Sequence, residues 1–128
     1  MDPRNAVFAA AVLFALCGCS TTSSSRVTGT AGPAWEGQVL VTQGTIPEGI
    51  AYKVIGTVQA DAKAGYDRVE TLYPLLAAEA RKLGANAVMD AKGGRRLTAF
   101  SWSAAYVHGI AVRVEDPSKL RALPGFFY

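Results

Sequence analysis

The chain has 128 residues, half of them hydrophobic, with a formal charge of +3 and a pI near 9.0. That length fits one domain and excludes two. The basic residues are scattered with no run longer than a pair, which excludes nucleic-acid binding through a basic stripe interleaved with aromatics.

The N-terminus carries Arg4 and Asp2, and Ala6–Leu16 is an unbroken apolar run. A bilayer span takes about 20 such residues, whereas the apolar stretch of a secretory signal takes about 7–15. The run ends in "LCGC" (Leu16–Cys19), which resembles the lipobox of bacterial lipoproteins. The resemblance implies cleavage between Gly18 and Cys19, with diacylglycerol on the Cys19 thiol. Cys17 is the poorer acceptor, because bulky Leu16 would then occupy a cleavage position that wants a small residue. Residues 1–18 are therefore expected to be a signal peptide. The two cysteines are one residue apart, whereas redox and zinc motifs use two. The mature domain would hold no cysteine and no disulfide. Its first partner would be the membrane, through N-terminal acyl chains. Ser20 stands where an aspartate retains many lipoproteins in the inner membrane, so the same resemblance implies the outer membrane, facing the periplasm.

Residues 19–37 are expected to form a lipidated, flexible tether. Ser20–Gly37 is rich in Ser, Thr and Gly, and would reach at most about 60 Å at roughly 3.3 Å per residue. Trp35 is expected to dock at the domain edge. The domain proper is predicted over 38–115. Gln38–Ile46 reads as a strand, Pro47–Gly49 as a turn, and Ala51–Ala60 as a second strand paired in an antiparallel hairpin. Tyr52, Val54, Gly56 and Val58 would share one face of it. Val69, Leu72, Tyr73, Leu76, Ala80 and Leu83 recur at helical spacing. A helix over 72–83 follows, with Pro74 in its first turn and Gly84 as its stop.

Ala85–Lys92 reads as a third strand and "GGRR" (Gly93–Arg96) as an exposed turn. In the last strand Phe100, Trp102, Ala104, Tyr106, His108, Ile110, Val112 and Val114 share one parity, which predicts a buried face. Residues 116–128 are expected to be an irregular tail whose aromatics dock on the domain. The order β-β-α-β-β predicts an α+β fold, one main helix packed on one mostly antiparallel sheet.

"EARKLGANAVMDAK" (Glu79–Lys92) and "HGIAVRV" (His108–Val114) resemble the YbjQ-like family, which carries a heavy-metal-binding label. They also resemble the related domain of the outer-membrane stress-sensing lipoprotein of the Rcs phosphorelay. The likeness covers roughly Val39–Val114 and is strongest at "LGANAV". It implies this fold, a metal-binding module as one function, and ring-like homo-oligomers. The disulfides of the Rcs lipoprotein domain have no counterpart in a cysteine-free mature chain.

The residues themselves carry little chemistry. His108 is the one histidine, and its apolar parity reads as a hydrogen-bonded core position. Asp61, Asp67 and Asp90 do not stand at metal-ligand spacing with it, and no catalytic or phosphate-binding motif is present. Asp90 reads as solvent-facing. No catalytic residue, metal ligand or cofactor is expected. Arg95 and Arg96 are the candidate contact to an anionic lipid or partner. The function expected is a non-enzymatic envelope lipoprotein that binds an unidentified envelope protein or lipid, or senses envelope state.

Overall fold

A computed structural model of the chain describes residues 21–62, 68–98 and 101–128. The expected signal peptide, with Gly18 and Cys19, lies outside the described residues, as does Asp67. Among the described residues no helix is long and apolar enough to cross a membrane.

Leu72, Tyr73, Leu76, Ala77 and Ala80 form the buried stripe that drives a helix against a sheet. The helix α1 runs Tyr73–Leu83 after a 3-10 turn at Val69–Leu72, with Pro74 in its first turn, where a missing N–H costs nothing. Gly84 ends it at φ 89°, in the left-handed region. A Cβ there would also come within 2.7 Å of Pro33 O. The helix expectation holds.

The strands are β1 (Thr21–Val27), β2 (Leu40–Val41), β3 (Tyr52–Ala62), β4 (Ala87–Thr98), β5 (Ser101–Val114) and β6 (Phe126–Phe127). They make one six-stranded sheet in the order β1-β3-β5-β4-β2-β6. Only β2 and β4 run parallel. One main helix on a mostly antiparallel sheet is the expected α+β class.

The sheet has two cores. Val58, Ala60, Val107 and Ala111 face the helix and share a core with Leu72, Leu76 and Ala80. On the opposite face, Leu40, Met89, Val112 and Val114 lie beneath Ile46 and Leu120, from the 43–50 loop and a 3-10 turn at Pro117–Ala122. That second cover spans one half of its face and leaves the other half open.

Several expectations are corrected. Thr21–Val27 is an edge strand and not a tether: it pairs with β3 from Thr21↔Ala62 to Val27↔Gly56. The ladder satisfies backbone groups along β3, so it needs no apolar side chain, and the described side chains of β1 are exposed. The segment after it is tied across the end of α1. Gly32 N–H donates to Leu83 O at 3.1 Å and Trp35 N–H to Arg81 O at 3.0 Å, which occupies carbonyls a helix end leaves open. Trp35 does dock at the edge: Arg113 lies 4.4 Å over its ring.

The predicted hairpin between Gln38–Ile46 and Ala51–Ala60 does not form. Val39, Leu40 and Val41 are buried on both faces, as in a central strand, and Leu40–Val41 pairs with β4 and β6. A register shift between Val54 and Gly56 breaks the parity of β3, so Tyr52 and Val54 are exposed while Ile55 is buried.

"GGRR" is no turn. It continues β4, with Gly93 opposite Val107 and Gly94 opposite Tyr106. Gly93 is glycine because a Cβ would strike Tyr106 O and Val69 Cγ1. The predicted irregular tail supplies a 3-10 turn and β6, so the sheet recruits residues on both sides of the predicted 38–115 domain. Finally, His108 is exposed, not core. In its half of β5 the opposite parity (Ala105, Val107, Ala111) faces the helix.

Candidate functional site

The open half of the sheet face is built by alternation. In β3, Val58, Ala60 and Ala62 go inward, so Thr57, Gln59 and Asp61 go outward. Register then lines polar groups across the strands. Ser24, Gln59, His108 and Lys92 form one complete row over β1, β3, β5 and β4. Thr22, Asp61, Tyr106 and Gly94 form the next, and Arg26, Thr57 and Ile110 flank the first on its other side. Paired residues present their side chains on the same face.

Tyr106 and His108 hold their rings 6.5 Å apart at 19° to one another. Gln59 Nε2 donates to Asp61 Oδ2 at 2.8 Å. Lys92 Nζ lies 3.1 Å from Asp90 Oδ1, and Asp90 sits at φ 55° in the irregular stretch between Met89 and Lys92. The depression on this face, about 450 Å³, is bordered by Ser24, Arg26, Thr57, Gln59 and His108. A somewhat larger one, about 530 Å³, lies between Trp35, Leu120, Arg121 and Phe127. Its one charged group is Arg121, and it lacks the polar array of the sheet face.

On the helix side, β1 is secured through Glu79. Ser23 Oγ donates to Glu79 Oε1 at 2.8 Å, and Lys82 Nζ lies 3.3 Å from the same oxygen. Burial pushes the Glu79 pKa up. Hydrogen bonds from Ser23, Lys82 and Ser25 and the Lys82 charge outweigh it, and the net shift is downward.

Of the sequence candidates, Arg95 and Arg96 stand opposite Ala105 and Ala104 inside β4, and Arg95 is exposed. Cys19 lies two residues before β1. Asp61 and His108 fall in neighbouring rows, yet the residues directly across from His108 are an amide and an ammonium. Among the described residues no three His, Cys, Asp or Glu gather as a metal site would require. The ligand set that a heavy-metal label implies is a poor fit here, since Lys92 would repel a cation at His108. Sequence reading missed the role of Ser23, Ser24 and Gln59. The outward parity of β3 was visible, but the pairing that aligns it with β1 was not.

Comparison with protein-family models, with curated proteins and with solved structures returned no match.

Proposed function

We propose that the chain is a non-enzymatic lipoprotein of the bacterial cell envelope, anchored through acylated Cys19, whose α+β domain presents its open sheet face to a partner. One observation carries the reading: β1 starts at Thr21, two residues after Cys19, and is bonded along β3 over seven positions. The two steps of chain from Cys19 to Thr21 span at most about 7 Å. An anchor at Cys19 would hold this domain against the lipid surface, in a fixed orientation, where a free tether would let it roam. Kinship with the YbjQ-like family belongs to the same reading. Its strongest stretch, Leu83–Val88, is the α1–β4 junction, with Gly84 in the left-handed stop and Asn86 fully buried. In support of a binding module over an enzyme, the two residues across from His108 are engaged elsewhere, Gln59 Nε2 with Asp61 and Lys92 with Asp90.

The test is metabolic labelling with palmitate followed by membrane fractionation. Wild type and Cys17→Ser should label and sediment with the outer membrane, and Cys19→Ser should not label. Label that follows Cys17, or an unlabelled wild type, removes this reading.

A further inference from the structure

At one end of the sheet β4 and β5 outrun their neighbours. Beyond the row of Thr22, Asp61, Tyr106 and Gly94, β1 holds only Thr21 and β3 only Ala62. β4 continues four residues past Gly94, to Thr98, and β5 starts five residues before Tyr106, at Ser101. Arg95 stands opposite Ala105 in this arm, Arg96 opposite Ala104, and Thr98 opposite Ser101. At about 3.4 Å per residue, β4 reaches about 14 Å past the row. Cys19 leaves the sheet at the same end. β1 and β5 both run from this end, two strands apart, about 10 Å at roughly 4.8 Å per strand. With at most about 7 Å of chain between Cys19 and Thr21, an acyl anchor at Cys19 emerges beside the arm.

We infer that this arm, Arg95–Thr98 with Ser101–Ala105, is a second contact with the bilayer and lies in its headgroup layer. The inference rests on the Cys19 anchor of the proposed function and adds what the domain itself lays on the lipid. Placement is its first support: a bilayer that holds the acyl chains meets this end of the sheet before any other. Two strands without further neighbours are marginal in water, and a surface to lie on removes that weakness. The sequence of the arm suits the headgroup layer. Trp102 is of the residue type that gathers at membrane interfaces, Leu97 adds apolar surface, and Arg95 and Arg96 bring guanidinium groups, which pair with phosphates. No carboxylate occurs between Asp90 and Glu115, so none in the arm would face the phosphates. Every phospholipid head offers a phosphodiester, so the contact needs no charge excess over the whole domain.

The two tryptophans of the chain report from opposite ends of the sheet. Trp102 belongs to the arm, and Trp35 lies under Arg113, eleven positions further along β5, about 37 Å of strand away. The experiment places the full chain, labelled with palmitate and purified in detergent, in vesicles of phosphatidylethanolamine and phosphatidylglycerol. The lipids carry bromine on the acyl chains near the headgroup. Emission from Trp35→Phe, which reports Trp102, should be quenched and shifted to the blue, and emission from Trp102→Phe should be neither. Wild type minus Trp102→Phe gives the same reading if Trp35→Phe folds poorly. Reversal of both arginines, Arg95→Glu with Arg96→Glu, should weaken the quenching, and raised salt should weaken it in wild type. Equal quenching of the two indoles, quenching of Trp35 alone, or quenching that neither charge reversal nor salt alters would overturn the inference. A labelled chain whose Trp102 stays unquenched loses the arm contact and keeps the anchor. A chain that takes no palmitate loses both.

Discussion

Asn86 holds Val114 by both ends of its amide: Nδ2 donates to Val114 O at 3.0 Å and Oδ1 accepts from Val114 N at 2.7 Å. Both residues are fully buried. The side chain imitates one more rung of the β4–β5 ladder, below the Ala87↔Val112 pair. The Asn86 backbone meanwhile donates to Val112 O and accepts from Leu40 N, each at 3.1 Å. One residue therefore joins the start of β4, the end of β5 and the short β2. The presentation of the sheet face depends on that junction.

Replacing Asn86 with Leu should be among the costliest single changes in the domain. Leucine leaves a buried N–H and a buried C=O at Val114 unpaired, at about 1–3 kcal/mol each. The expected fall in Tm is on the order of 10 °C or more for a domain of this size. Asn86→Asp should also destabilise, because a carboxylate oxygen would replace the donor facing Val114 O. Circular-dichroism melting checks both; a loss below about 1 kcal/mol would mean that the junction tolerates an unpaired strand end.

What the sequence disclosed follows from how local each signal is. The helix was legible because its apolar spacing, Pro74 and Gly84 all lie within one short stretch and act on the same element. Within "LGANAV" the role of Asn86 is not legible, because its partner is 28 residues away. β1 was illegible for a different reason: Ser and Thr give no apolar alternation, and its pairing uses backbone groups that every sequence has. In β5 the clean apolar parity is misleading, since the loop cover over Val112 and Val114 does not extend to His108. The glycines of "GGRR" read as a turn, yet Gly93 answers close packing against Tyr106 and Val69. Of the candidate face, each strand's outward set was readable and the register that assembles it was not.

Gly84→Ala tests the crossing of the 28–37 segment over the helix end. A left-handed conformation costs a residue with a Cβ roughly 1–2 kcal/mol, and here the Cβ also presses on Pro33 O. The melting temperature should fall, and trypsin should cleave after Arg26 faster than in wild type. Unchanged cleavage with lowered stability would show that the crossing shifts without loosening.

The hold of Glu79 on β1 should depend on pH. Its folded-state pKa lies below the ordinary value of 4.5, so the carboxylate stabilises the docked strand above that value. The contribution is lost as pH falls through the lowered folded-state pKa. The protection of the β1 amides, taken relative to their intrinsic exchange rates, should therefore fall in acid more than that of β4 or β5. Glu79→Ala should show the faster exchange already at neutral pH, with the acid dependence gone. If β1 and β5 exchange in parallel across that range, Glu79 is not what keeps the strand in place.

The last expectation concerns metal. A buried His108 would have been out of reach of any ion, but the imidazole is exposed, so burial is no argument against a site. The argument rests on neighbours: Gln59 on one side and Lys92 on the other, in a domain where zinc would seek three or four ligands from thiolate, imidazole or carboxylate. Asp61 is bonded to Gln59 and Asp90 to Lys92, so each carboxylate nearby would have to give up a partner. A ring of subunits that gathers several exposed His108 side chains is the one arrangement that meets the count. Titration with zinc, copper and nickel, run beside light scattering and His108→Ala, separates the cases. The expected result is no saturable binding and no change of mass. Micromolar binding that His108→Ala removes, accompanied by assembly, would establish a metal site between subunits.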